Sequence, residues 1–235
     1  ELIIPPGTTE IDDKQYYNCA EFTGSLIIPD SVLTIGDSAF EGCKGLNGTL
    51  KLSKSLTSIG SSAFRYTNFN GELIIPDTVT TIGSRACQGL KFTGSLKIPD
   101  SVTTLENMAF SQCSYFDGTL TLSNNLTSIE QLLFLGCSGF TGTLRIPDEV
   151  IQICLDAFSS CSGFTDLILS KNLQSIDASA FESCSGLSKS LILPDSLLQI
   201  GESAFTSCTS LKGDLIIPPK ITSIAGSAFR DCTGL

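Results

Sequence analysis

Apolar residues along this chain fall into one phrase that returns every 23 or 24 residues. The stretch SLIIPDSVLTIGDSAFEGC, Ser25 to Cys43, is a clear copy. Aligned on its aromatic position, the chain gives Tyr16, Phe40, Phe64, Cys87, Phe110, Phe134, Phe158, Phe181, Phe205 and Phe229, ten copies in all. Five residues before each of these stands an isoleucine, or Leu105 in the fifth copy. Three residues after comes a cysteine in eight copies, replaced by Thr67 and Leu90 in the third and fourth. Self-similarity at a fixed period of this size marks a solenoid. The copies fill residues 1–235 without a linker, so a single repeat domain is expected.

Each copy predicts its own elements. SLIIP alternates, with Leu26 and Ile28 on one face and Ile27 on the other, which predicts a short strand. Pro29 has no N–H for a ladder and, with Asp30, ends that strand in a turn. VLTIG predicts a second short strand closed at Gly36. SAFEGC does not alternate, and its Ala, Phe and Cys predict one or two helical turns. The residues near Gly45 to Gly48 turn the chain back. Where the interval is 23, the missing residue falls in this return, near Asn68, Lys91 and Thr165. The expected fold class is therefore an α/β repeat of ten 23–24-residue units, each two short strands plus a short helical turn. One unit cannot bury its inward row alone, whereas stacked units cover one another. At about 4.8 Å per paired strand, ten rungs span about 50 Å. The inward phenylalanines are expected to form a continuous column, each worth roughly 1.5–3 kcal/mol when fully buried.

Composition narrows the function. A hydrophobic share of 41% with 16% charged residues excludes intrinsic disorder. No apolar run reaches the roughly 18 residues of a membrane span. A net charge of −10 argues against a nucleic-acid partner, which needs clustered Lys and Arg. Histidine is absent, which removes Ser–His and Cys–His catalysis, histidine metal ligands and the usual general base. Catalysis by other groups would require a clustered, non-periodic set of polar residues, and the chain offers none. No catalytic residue, cofactor or metal is expected. Repeat 1 reads as a cap, with Thr8, Asp12, Gln15 and Tyr16 where other repeats carry Val, Gly, Ala and Phe. Repeat 10 stops on an uncapped apolar rung at Leu235, so a fragment of a longer protein, or end-to-end self-association, is expected.

The recurring L-x-I-P-D-S-V-x-x-I-G-x-S-A-F-x-x-C-x-x-L resembles the BspA-like, Treponema-type class of leucine-rich repeats over the whole chain. The extra glycine before the strand, as in Gly24, Gly48, Gly118 and Gly142, resembles the protozoan versions. The resemblance implies a curved, right-handed leucine-rich-repeat solenoid in a surface or secreted protein. It implies adhesion to host extracellular matrix or cells, and it carries no catalytic motif. An intracellular leucine-rich-repeat scaffold for protein–protein interaction is the alternative.

Five sets of positions are candidate sites. Cys19, Cys43, Cys113, Cys137, Cys161, Cys184, Cys208 and Cys232 share one column, while Cys87 and Cys154 lie elsewhere. Metal binding needs converging ligands at C-x2-C-like spacing, which this column lacks. Buried packing thiols are expected, with disulfides between adjacent rungs as the alternative. The outward position of the first strand holds Ile3, Ile27, Lys51, Ile74, Lys97, Thr121, Arg145, Ile168, Ile192 and Ile216. In ligand-binding leucine-rich repeats such positions line the concave face. The basic middle and the apolar trio Ile168, Ile192 and Ile216 make this row the expected protein-binding surface, against plain β-propensity. The hydroxyl pairs, such as Thr80-Thr81 and Thr103-Thr104, read as solvated ladder residues rather than an ice- or polysaccharide-binding array. Asp30, Asp77, Asp100, Asp148 and Asp195 read as turn formers, since calcium needs six or more oxygens around one point. Asn47 and Asn125 stand in glycosylation sequons that chance alone would supply.

Overall fold

The computed structural model describes residues 1–235. Successive copies stack as parallel rungs of a β-solenoid, and identical repeat positions pair: Ile11 with Ile35, Ile35 with Ile59, Ile59 with Ile82. The second strands make the longest ladders. Glu10–Ile11, Thr34–Ile35, Ser58–Ile59, Thr81–Ile82 and Thr104–Leu105 form a five-stranded sheet. Ser128–Ile129, Gln152–Ile153, Ser175–Ile176 and Gln199–Ile200 form a four-stranded one. First strands pair only two at a time: Leu26–Ile27 with Leu50–Lys51, Leu96–Lys97 with Leu120–Thr121, and Gly142–Arg145 with Phe164–Ile168.

The shortened returns do not turn as expected. With one residue fewer, the chain covers the same distance only by extending. Asn70–Gly71 therefore pairs with Lys91–Phe92, and the strand Phe164–Ile168 runs from the return straight into the first-strand position.

The expected helical turns are absent, because alternate N–H groups leave their own repeat. Ser38, Phe40 and Gly42 donate to the carbonyls of Ser61, Ala63 and Arg65 on the next rung, at 2.7, 2.8 and 2.9 Å. The intervening Ala39, Glu41 and Cys43 donate back three residues, to Gly36, Ser38 and Phe40. Two residues per repeat must then sit in the left-handed region, such as Ser38 at φ 53° and Gly42 at φ 78°. A left-handed non-glycine residue costs roughly 1–2 kcal/mol, and the rung-to-rung bonds offset that cost. The result is a ladder of overlapping turns, an all-β repeat rather than an α/β one.

The repeat count also falls short of ten regular units. Repeat 1 has a neighbouring rung on one side only, and repeat 10 has no strand at all. That leaves about eight complete turns, repeats 2 to 9.

One cluster of 67 buried apolar residues runs through the stack. Phe110, Phe134, Phe158, Phe181, Phe205 and Phe229 stack face to face, with ring centroids 5.1–5.8 Å apart, within the favourable range for aromatic pairs. The column is not continuous: Tyr16, Phe40 and Phe64 form a separate stack, cut off by Cys87. A second aromatic column, Phe92, Phe116, Phe140 and Phe164, fills the return side at 6.2, 4.9 and 5.8 Å.

Candidate partner-binding face

The period-2 pattern of the first strand sorts neighbouring residues onto opposite faces. Ile28 is 1% exposed and Ile27 is 62% exposed. Pairing then lines the outward residues up: Ile27 lies opposite Lys51, Lys97 opposite Thr121, and Arg145 opposite Ile168. Ile3, Ile74, Ile192 and Ile216 continue the row on unpaired extended segments, all strongly exposed. Ile168 is half-buried, so the C-terminal apolar patch centres on Ile192 and Ile216.

The basic middle is partly compensated. Lys97 Nζ lies 3.9 Å from Asp77 Oδ1, both exposed, so the pair is worth little in stability. Lys51 and Arg145 have no carboxylate within 4.0 Å and stay available. Where first strands are unpaired, shallow grooves open on this face. One of about 550 Å³ runs beside Ile74 between Pro76 and Lys97, and one of about 300 Å³ lies between Ile3 and Ile27. Both are open furrows along the rungs, suited to side chains of a macromolecular partner.

The cysteine column has a structural use that spacing alone did not reveal. All ten cysteines are free and eight are buried. The thiols of Cys137, Cys161, Cys184, Cys208 and Cys232 donate to the carbonyls of Phe110, Phe134, Phe158, Phe181 and Phe205 on the preceding rung, at 3.0–3.1 Å. Each carries a donor into a core that is mostly apolar. Burial pushes Cys43 up to about 11, and Cys113 and Cys184 up to about 12. Such thiols hold their protons at neutral pH and are poor nucleophiles.

The remaining polar columns are also spent on stacking. The Asp30 and Asp100 carboxylates accept the main-chain N–H of Lys54 and Asn124 on the next rung, at 3.0 and 2.8 Å. Asp148 does the same for Lys171, more loosely at 3.4 Å. Hydrogen bonds from Asn124 hold the Asp100 carboxyl below its usual range, and the Lys171 side chain does so for Asp148. The rungs that accept this way face rungs with Ser53, Ser123 and Ser170 in place of proline, all fully buried. Thr57 and Thr80 hydroxyls bond to Leu33 and Thr57 carbonyls. No three His, Cys, Asp or Glu side chains converge as a metal site. Of the sequon residues, Asn47 is exposed with its amide nitrogen free, whereas Asn125 donates its amide to the Asp100 carbonyl at 2.7 Å. No helix is long and apolar enough to cross a membrane.

Known proteins match this picture in different degrees. The profile of the BspA type leucine rich repeat region matches in six copies, over residues 9–141 and 141–235. A leucine-rich repeat protein from Bacteroides ovatus superposes with a TM-score of 0.80 at 27% identity, over 99% of this chain and 61% of that one. The chain thus spans about three fifths of the length of that relative. A leucine-rich repeat protein from Eubacterium ventriosum gives a TM-score of 0.51 at 16% identity, over 93% of this chain and 84% of the other. A leucine rich cell surface protein from Faecalibacterium prausnitzii gives 0.47 at 24% identity, over 97% and 81%. Among curated proteins, none matches by sequence. Rung pairing, inward columns and a family profile that matches nearly the full length agree: the chain belongs to the BspA-type leucine-rich repeat family.

Proposed function

We propose that this solenoid is a non-catalytic protein-binding module that engages its partner through the outward row of the first strands, in a cell-surface or secreted adhesin that contacts host matrix or cells. The observation that carries the reading is the exposure of Ile27, Ile74, Ile192 and Ile216 on one face, with Lys51, Lys97 and Arg145 between them. Isoleucines kept in water at the same repeat position on five of the ten rungs form a surface that gains from being covered. Burying one is worth roughly 1.5–3 kcal/mol, so two or three suffice to anchor a transient complex. The cations add orientation and on-rate.

The test is a solid-phase assay of the protein against immobilised matrix proteins and host cells, repeated with Ile192→Glu/Ile216→Glu. Saturable binding that falls at least tenfold in the variant, with an unchanged unfolding midpoint, is the expected result. Equal binding by both proteins would remove this face from the account, and no binding to any matrix or cell surface would remove the adhesin reading.

One observation favours the intracellular scaffold as a second reading. Ten free thiols and no disulfide suit a reducing compartment. A thiol count on protein recovered from its native compartment separates the two. Oxidised Cys19 and Cys154, the two not fully buried, point to an oxidising location.

A further inference from the structure

Repeats 3 and 4 depart furthest from the pattern of the chain. Their cysteine position holds Thr67 and Leu90, Cys87 replaces the column phenylalanine, and both returns are one residue short. On the turn side of these rungs lies a groove of about 400 Å³, whose walls include Lys44, Arg65, Tyr66, Asn68, Gln88 and Gly89. It shares no residue with the outward row of the first strands. Tyr66 shapes it. The position two residues after the column aromatic lies in the left-handed region, and the other repeats fill it with glycine, serine, asparagine, aspartate or glutamine. At φ 59° Tyr66 is the only aromatic residue in that region, where a bulky side chain is disfavoured. Side chains held in such conformations gather at functional sites.

Elsewhere the residue at this position leans over the glycine of the next rung. Asn18 covers Gly42 in this way, and Gln112 covers Gly136, where an added Cβ would lie 2.8 Å from the Gln112 Oε1. Tyr66 does not follow them. Arg65 draws it aside, with Nη2 donating to the Tyr66 hydroxyl at 2.6 Å and the guanidinium carbon 4.3 Å from the ring centre. Gly89 is left bare: no atom from elsewhere in the chain comes within 4 Å of where its Cβ would stand. The tyrosine is 53% exposed although the guanidinium covers one face, so its other face is open. The polar groups around this floor are unspent. Three buried side-chain polar atoms in the chain lack a hydrogen-bond partner, and two of them, Arg65 Nε and Gln88 Oε1, belong to the groove walls. Both are covered as the side chains stand, so they meet an occupant by turning toward it. Asn68 spends its Nδ2 on the Lys44 carbonyl at 2.7 Å and leaves Oδ1 without a donor. Lys44 has no carboxylate within 4.0 Å. Donors and acceptors therefore stand side by side. An anion would face the acceptors, and an apolar ligand would leave every polar group unpaired. A hydroxyl both donates and accepts, and a ring of hydroxyls with an apolar C–H face also covers the open side of the tyrosine.

We propose that this groove is a carbohydrate-binding subsite, in which a sugar ring stacks on Tyr66 over the bare backbone of Gly89 and bonds through its hydroxyls to Asn68, Gln88 and Lys44. The test is saturation-transfer NMR on the whole chain with lactose, cellobiose, mannobiose and N-acetyllactosamine, each titrated at millimolar concentration. Transfer to the ring protons of at least one of these sugars is expected. Tyr66→Ser removes the stacking face, and Gly89→Gln fills the bare floor. Both introduce residues that other repeats already carry at this position, as Ser160 and Gln112. Each is expected to weaken sugar binding at least tenfold with an unchanged urea midpoint, and either serves if the other does not fold. Ile192→Glu/Ile216→Glu lies outside the groove and is expected to bind sugar as the parent does, which keeps this test separate from that of the protein-binding row. Transfer to none of the four sugars would overturn the proposal. So would equal binding by the parent and both groove variants, which would place the sugar elsewhere.

Discussion

Ile192 and Leu193 are neighbours of similar size and hydropathy, yet one is 78% exposed and the other 8%. The same split separates Ile27 from Ile28, and it recurs along the row. Side-chain chemistry is therefore not what distinguishes core from surface in this fold; parity along the first strand is. Inward positions hold the rungs together, and every repeat needs them. Outward positions are free of that duty, so their mixture of isoleucine, lysine, threonine and arginine can serve a partner.

That contrast breaks most visibly in the core. Phe134→Ala removes a ring stacked on Phe110 and Phe158 and is expected to cost about 3–5 kcal/mol. Urea unfolding measures this, and Ile192→Ala should stay within about 0.5 kcal/mol of the parent. A cost for Phe134→Ala as small as that would mean the columns do not carry the stack.

Next comes pH, which senses the buried thiols and not the outward row. In the unfolded chain a thiol ionises near 9.0, whereas Cys43 is raised to about 11 and Cys113 and Cys184 to about 12 in the fold. The folded state thus holds its protons longer. The stabilisation is complete below pH 9 and is lost as pH rises through 11 to 12. Denaturation midpoints should fall across that window, while DTNB titrates few thiols natively and all ten after unfolding. Rapid native reaction of most thiols would contradict the burial of the column.

The smallest effect concerns the turns. Ser62 sits at φ 56° and donates its N–H to the Ser84 carbonyl on the next rung at 2.7 Å. Ser62→Gly relieves a left-handed side chain and should raise stability by about 0.5–1 kcal/mol, against the usual penalty of glycine. A loss of stability would mean the Ser62 side chain contributes more than its backbone strain costs.

Much of this molecule was legible in its sequence, for a stated reason. Repetition turns a non-local property, which residue contacts which, into a local one, because each position meets its own copy one period away. The inward set from Leu26 to Cys43 and the pairing of Ile35 with Ile59 follow from that alone. SAFEGC was misread as helical because its six residues have no say in the matter. Their N–H groups bond to Ser61, Ala63 and Arg65, and no window of 18 residues contains both partners. Exposure of Ile168 was over-read because its strand, Phe164–Ile168, is extended by a shortened return. The outward row itself was visible from alternation, but what it touches is not written in the chain.

The most direct measurement pairs two adjacent substitutions, Ile192→Glu and Leu193→Glu, in unfolding and in partner binding. The account predicts that Ile192→Glu leaves the urea midpoint in place and weakens binding at least tenfold, whereas Leu193→Glu lowers the midpoint sharply. If Ile192→Glu unfolds the protein, or binds its partner as the parent does, the division of labour between the two faces is wrong.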